Sequence, residues 1–180
     1  MKILIAYATF DGQTRRIATR IGTILRHEGH QPDVRPIDDC SDALESADAV
    51  ILGGAVRYGH HAPALERFAR ANAVRLWHLP NAFFSVSLSA GGPGANRSEA
   101  LRYVEEFRER TGWTPHSEAC FAGALPYRAY NLVLRVVMKA ISRNKGGETD
   151  TSRNHEYTSW VEVERFARSF AARLAPARAA

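Results

Sequence analysis

The sequence predicts a doubly wound α/β domain. Three observations carry that reading. Short apolar runs of strand length recur along the chain. Segments with helical spacing of apolar residues separate them. Strand and helix alternate throughout, which calls for a parallel sheet with helices on both faces.

"KILIAYA" (2–8) is a nearly continuous apolar run, as expected of a strand covered on both faces. A helix follows over 14–29, where Ile17, Ile21, Ile24 and Leu25 recur at helical spacing and Gly29 is the stop. "PDVRPI" (32–37) is a weak second strand, and "ADAVILGGA" (47–55) is a strong third strand ending in a glycine pair. "ALERFARANAVRL" (64–76) is helical, with Pro63 at its first turn. "NAFFSVSLS" (81–89) is the fourth strand. The helix over 97–112 stops at Gly112, "EACFAGAL" (118–125) is the fifth strand, and 159–174 is the last helix. No repeat, linker or break in composition divides the chain. One domain over 1–174 is therefore expected, with a frayed tail at 175–180.

Size and composition agree. A chain of 180 residues buries a real core, and 45% hydrophobic with 24% charged content is ordinary for a globular protein. No apolar run is long enough to span a bilayer, and the N-terminus opens directly on a strand, so a cytoplasmic location is expected. Cys40 and Cys120 show no paired spacing and read as reduced structural thiols. Seven histidines without ligand spacing give no metal site. The net charge of +5 favours anionic partners.

In open α/β sheets, ligands bind beyond the carboxyl ends of the strands. The first such loop is Thr9-Phe10-Asp11-Gly12-Gln13-Thr14. It opens a helix, whose N-terminal N–H groups and partial positive charge suit a phosphate. Two spacings are missing. Without GxxxxGK[ST] there is no nucleoside triphosphate loop, and without GxGxxG there is no dinucleotide fingerprint. A compact monophosphate fits. The alternative is an ordinary turn in which Thr or Asp caps the helix.

Three more loops bear on the choice: "GGAVRYGHHAP" (53–63), "SVSLSAGGPGANRS" (85–98) and "AGALPYRAY" (122–130). Small residues let backbone lie beside a flat ring, and Tyr58 can stack on its face. A phosphate loop with such ring-binding loops describes a site for flavin mononucleotide (FMN).

The turn Thr9-x-Asp11-Gly12-x-Thr14 resembles the flavodoxin phosphate loop, Thr-x-Thr-Gly-x-Thr, with Asp11 in place of the middle threonine. Asp11 is expected to point away, its backbone N–H serving instead, with Arg15 or Arg16 offsetting its charge. The chain is most similar to one long-chain subgroup, the flavodoxin-like, menaquinone-dependent protoporphyrinogen IX dehydrogenases of bacterial haem biosynthesis. The matching stretches are "DGQTRRIA" (11–18), "RYGHH" (57–61), "AFFSVSL" (82–88), "AGAL" (122–125), "GGETDT" (146–151) and "YTSW" (157–160).

The resemblance implies a flavodoxin-like fold, with five principal strands in the order 2-1-3-4-5, and FMN as cofactor. The cofactor-binding residues are then Thr9, Asp11, Gly12, Gln13 and Thr14; Ala55, Val56, Arg57, Tyr58 and Gly59; Ser87, Leu88, Ser89, Ala90 and Gly91; and Gly123, Ala124 and Leu125. Arg57 and His60 are the candidate catalytic residues: Arg57 beside the ring or on a porphyrin propionate, His60 in proton movement. A surface arginine and a plain loop histidine are the alternatives. The implied reaction oxidises protoporphyrinogen IX and reduces menaquinone or another quinone. A generic FMN-dependent NAD(P)H:quinone reductase and a flavodoxin-type electron carrier stand as alternatives. The net charge of +5 argues against the carrier, since flavodoxins are typically acidic.

Residues 126–157 are an insertion by comparison with a minimal fold of this kind. Within it, 130–145 reads as a basic amphipathic helix, with Arg128, Arg135, Lys139 and Arg143 on one face. It either packs on the domain by its apolar side or docks on an anionic membrane surface, where a lipid-soluble quinone is available. The second option places the protein peripherally on the cytoplasmic face of the inner membrane. Nucleic acid is not an expected partner, and homo-oligomer formation is left open.

Overall fold

The computed structural model describes residues 1–91, 94–125 and 155–174. In chain order these form β1 (Lys2–Ala8), α1 (Gln13–His27), β2 (Gln31–Pro36), α2 (Ser41–Glu45), β3 (Ala49–Arg57), β4 (His60–His61), α3 (Pro63–Ala71) and α4 (Ala73–His78). Then come β5 (Asn81–Ser87), α5 (Arg97–Thr111), β6 (Glu118–Ala122), β7 (Ala124–Leu125), β8 (His155–Glu156) and α6 (Trp160–Leu174).

The main sheet runs β2-β1-β3-β5-β6 with every neighbour parallel. This is the expected order of the five principal strands. Successive side chains along a strand point to opposite faces, so each central strand feeds two cores. Ile3, Ile5, Tyr7, Ile51, Phe84 and Val86 pack with α1 and α6, through Ile17, Ile21, Leu25, Val163, Phe166 and Phe170. Leu4, Ala6, Val50, Leu52 and Phe83 face the other way, onto Leu65, Ala69, Val104, Phe107 and Trp113. The continuous apolar runs follow from this double covering.

The glycine pair in β3 is a packing feature. A Cβ on Gly53 would lie 2.0 Å from Phe84 Cζ, and one on Gly54 would lie 2.4 Å from Leu65 Cδ2. Both faces of the strand are filled by neighbours at that point.

Several boundaries differ from the sequence reading. The helix expected over 64–76 is two helices. Asn72 Nδ2 donates to the Phe68 carbonyl at 2.9 Å, and such a side chain competes with the helical ladder. The second strand ends at Pro36, so Ile37, expected in it, opens a 3-10 turn, and residues 38–45, to which the pattern assigns nothing, complete that turn and form α2. The third strand begins at Ala49 and continues to Arg57, then folds back as β4, which pairs antiparallel with it. The fourth strand ends at Ser87, and Leu88–Ala90 form a 3-10 turn.

The fifth strand also ends early, at Ala122. The Gly123 N–H donates to the Ser87 carbonyl at 3.0 Å, while its carbonyl accepts the Tyr157 N–H at 3.2 Å. The backbone is thus drawn out of the main sheet, and β7 pairs antiparallel with β8 instead. Residues 155–157, assigned to the insertion, therefore belong to the framework. The stretch 126–154, with Arg128, Arg135, Lys139 and Arg143, lies outside the described residues, as does the tail 175–180.

Candidate functional site

The carboxyl ends of β1, β3, β5 and β6 carry the residues singled out from the sequence. The loop after β1 turns at Gly12, which has φ 87° and is the N-cap of α1. A Cβ there would meet nothing within 4 Å, so Gly12 is required by its left-handed backbone rather than by crowding.

Capping does not explain the loop. No side chain caps α1; the Thr9 hydroxyl accepts from the Gly12 N–H at 3.0 Å instead. The ladder begins with the Arg16 N–H on the Gly12 carbonyl at 3.1 Å. The N–H groups of Gln13, Thr14 and Arg15 therefore have no intrahelical acceptor. The Thr14 hydroxyl is buried and has no hydrogen-bond partner among the described residues. A buried polar atom without a partner is costly, and an anion seated on the first turn of α1 would satisfy it.

Gln13 and Arg16 have other duties. Gln13 Nε2 donates to Thr158 Oγ1 at 2.8 Å and to Glu156 Oε1 at 3.1 Å. Thr158 in turn donates to the Ala122 carbonyl at 2.7 Å. Arg16 bridges Glu156 at 2.8 Å, donates to Gln13 Oε1, and lies over the Trp160 ring at 5.5 Å. These contacts anchor α1 to β6, β8 and α6. They leave Gln13 only its backbone N–H for a ligand, and they take Arg16 away from Asp11. Arg15 lines a groove of about 470 Å³ with Thr19, Thr23 and Trp160. Asp11 pairs with Arg57 at 3.1 Å, and the Arg57 guanidinium lies 4.6 Å from the Phe10 ring centroid.

After β3 the chain makes a two-residue hairpin. Tyr58 and Gly59 have φ 54° and 85°, and Arg57 pairs with His60 across the turn. Positive φ at both central residues suits the twist of the flanking strands. Tyr58 tolerates it at a cost of about 1 kcal/mol and is 79% exposed. The ring is thus held out at the edge of the site. Ala55 and Val56 lead into the hairpin half-buried. His60 is exposed; its Nδ1 lies 3.3 Å from Arg110 Nη2 and 3.8 Å from Glu106 Oε2, both on α5. His61 is buried, and its Nε2 is hydrogen-bonded to Ser85 Oγ at 3.0 Å.

After β5, the Ser87 hydroxyl is a second buried polar atom without a partner among the described residues. The Ser89 hydroxyl is used, donating to Glu99 on α5. Leu88, Ala90 and Gly91 complete the turn, and Gly123, Ala124 and Leu125 follow β6. Phe10, Glu156 and Thr158 are participants that the sequence reading missed. Phe10 is signalled locally by being apolar within a polar turn. Glu156 and Thr158 have no local signal, because their partners on α1 are more than 140 positions away.

The two cysteines are free, and desolvation raises both thiols, Cys40 to about 11. Among the described residues no group of three or more His, Cys, Asp or Glu could hold a metal ion, and no helix is long and apolar enough to cross a membrane.

A parallel sheet in this order, with a phosphate-type turn on the first strand and an exposed aromatic after the third, defines a flavodoxin-type protein. A family model described as a flavodoxin domain matches residues 4–152, and the chain belongs to that family. Membership indicates a flavin cofactor, which the partnerless hydroxyls and the uncapped helix start fit. Solved structures agree on the fold. Oxidised Flavodoxin 1 from Bacillus cereus superposes with a TM-score of 0.57 at 15% identity, covering 97% of this chain and 100% of that one. A short-chain flavodoxin associated with a bacterial microcompartment gives 0.60 at 15% identity, over 97% and 99%.

The curated relatives are more particular. The chain is 38% identical over 172 residues, 95% of each chain, to a protein of Escherichia coli (strain K12) named protoporphyrinogen IX dehydrogenase [quinone]. A protein of Leishmania major with the same name is 37% identical over 173 residues, 95% of this chain and 75% of that one. The subgroup resemblance drawn from the residues is borne out.

Proposed function

We propose that this chain is an FMN-dependent oxidoreductase that converts protoporphyrinogen IX to protoporphyrin IX in haem biosynthesis, with menaquinone or another quinone as acceptor. The observation that carries the reading is the 38% identity extending over 95% of both chains to a relative of that name. Nearly the whole chain is matched, not the flavin loops alone.

The N–H groups of Gln13, Thr14 and Arg15 and the Thr14 hydroxyl would hold the phosphate. The segments Ala55–Gly59 and Ser87–Gly91 would flank the ring, with Tyr58 for stacking and the Ser87 hydroxyl as a polar contact. Gly123, Ala124 and Leu125 would close the third side. When bound, the flavin supplies a two-electron acceptor that the protein orients and tunes. Arg57 and His60 remain the candidate groups for substrate carboxylate and proton, His60 beside Arg110 and Glu106. We place the protein on an anionic membrane surface through the basic insertion, where a lipid-soluble quinone is at hand. We take 1–174 as a single domain.

The test is porphyrin fluorescence over time, without oxygen, in a mixture of FMN-loaded protein, protoporphyrinogen IX and a menaquinone analogue. A quinone-dependent rise that disappears without FMN is expected. A flavin-loaded protein that gives no rise, but is bleached rapidly by NAD(P)H, would show a generic quinone reductase instead.

A further inference from the structure

Three of the stretches that mark this sequence, "DGQTRRIA", "AGAL" and "YTSW", lie far apart along the chain and meet through one side chain. Gln13 is the first residue of α1 and is buried. Its Nε2 donates to Thr158 Oγ1 at 2.8 Å and to Glu156 Oε1 at 3.1 Å, while its Oε1 accepts from Arg16 Nη1 at 2.9 Å. Thr158, also buried, donates to the Ala122 carbonyl at 2.7 Å.

Charge fixes the direction of these bonds. A carboxylate only accepts and a guanidinium only donates. Glu156 and Arg16, themselves paired at 2.8 Å, therefore hold the carboxamide with its NH2 toward Thr158. The Thr158 oxygen is then the acceptor, and its hydrogen goes to the carbonyl at the end of β6. One residue further, the Gly123 N–H donates to the Ser87 carbonyl at the end of β5 at 3.0 Å. The start of α1 is thus tied across the ends of β6 and β5. The tie falls where the helix lacks support of its own: α1 has no side-chain cap and no acidic residue in its first turn. Thr14, with its buried hydroxyl, follows directly.

We propose that Gln13 and Thr158 are positioning residues for a phosphate on α1. Their side chains set where the N–H groups of the first turn stand relative to the loops after β5 and β6. The inference rests on the flavin reading of the same site. Neither side chain touches the phosphate, since both are spent on the tie. Loss of either breaks the same link, so loss of both does little more harm than loss of one.

The test is a titration of the full-length apoprotein with FMN and, separately, with riboflavin, which lacks the phosphate, followed by quenching of flavin fluorescence. The ratio of the riboflavin to the FMN dissociation constant isolates the phosphate, because a change at the ring or in overall folding enters both. Wild type, Gln13→Ala, Thr158→Val, Thr158→Ser and the double variant Gln13→Ala/Thr158→Val are compared. Gln13→Ala keeps the backbone N–H, and Thr158→Val keeps the shape of the side chain but not its hydroxyl. Each is expected to lower the ratio by about tenfold, and the double variant by no more than about threefold beyond either, the non-additivity of residues in one network. Thr158→Ser keeps the hydroxyl and a ratio within about threefold of wild type. An unchanged ratio in Gln13→Ala or Thr158→Val would overturn the proposal and leave the tie a part of the fold alone. Losses that multiply in the double variant, or a Thr158→Ser ratio as low as that of Thr158→Val, would overturn it as well. A wild type that binds riboflavin as tightly as FMN would overturn it while leaving the flavin reading intact. A wild type that binds neither flavin would overturn both.

Discussion

His61 is enclosed by the edges of Phe83 and Phe107, with ring centroids 5.4 and 5.2 Å away. Burial lowers its pKa from 6.5 to about 4, helped by the nearby charges of Arg110 and His60. The folded chain therefore holds a neutral imidazole at pH values where the unfolded chain holds a charged one. Between about pH 6.5 and 4 the unfolded state binds more protons, so stability falls as pH falls through that window. The full loss is roughly 3 kcal/mol, and there is none above the ordinary histidine pKa. His61→Phe is expected to remove this slope while costing about 1 kcal/mol at neutral pH, because Ser85 loses its hydrogen-bond partner. Denaturant unfolding across the window checks it; an unchanged slope in the variant would assign the pH dependence to another group. The Thr14 hydroxyl offers the complementary lesson. Its lack of a partner among the described residues is invisible in the letters "GQT" and emerges only once burial is known.

β3 is the element on which the site and the core compete for space. Its first half is covered on both faces, its glycine pair is pressed by Phe84 and Leu65, and its last residues carry the hairpin. Gly53→Ala drives a methyl into a ring that is itself locked against Phe121 and Phe166. The expected cost is about 1–3 kcal/mol of overpacking, read as a fall in Tm of roughly 2–10 °C for a domain of this size. Gly12→Ala meets no neighbour but must hold φ 87°, so its expected effect is a smaller loss of about 1 kcal/mol from backbone strain. Thermal melts of the two variants distinguish crowding from strain; equal losses would mean that Phe84 yields freely. At this level the sequence was a good guide to which elements exist and a poorer one to where they stop. Gly112 ends α5 with φ 68°, as its position suggests, and Pro63 starts α3. The break at Asn72 and the departure at Gly123 depend on hydrogen bonds whose partners the local pattern does not name.

For the molecule as a whole, binding and folding are linked, because the loops that would hold a flavin are formed only in the folded chain. A ligand present at a hundredfold excess over its Kd adds about 2.7 kcal/mol of stability. FMN is therefore expected to raise Tm by roughly 5–10 °C at that excess, as a thermal-shift titration would show. A flat titration would contradict a flavin site at the strand ends. The alternation of apolar runs and amphipathic helices, and the phosphate-type spacing of Thr9, Gly12 and Thr14, are local patterns. By itself the sequence thus determined the α/β class and the loops where a ligand belongs, since steric periods and turn chemistry act over a few residues. Tertiary structure alone decided which side chains remain free there. Gln13 is spent on Thr158, Arg16 on Glu156 and Ser89 on Glu99, while Arg57 is held by Asp11. Most of these partners are far apart in sequence and meet only through strand register and helix packing, which is why no spacing rule announces them.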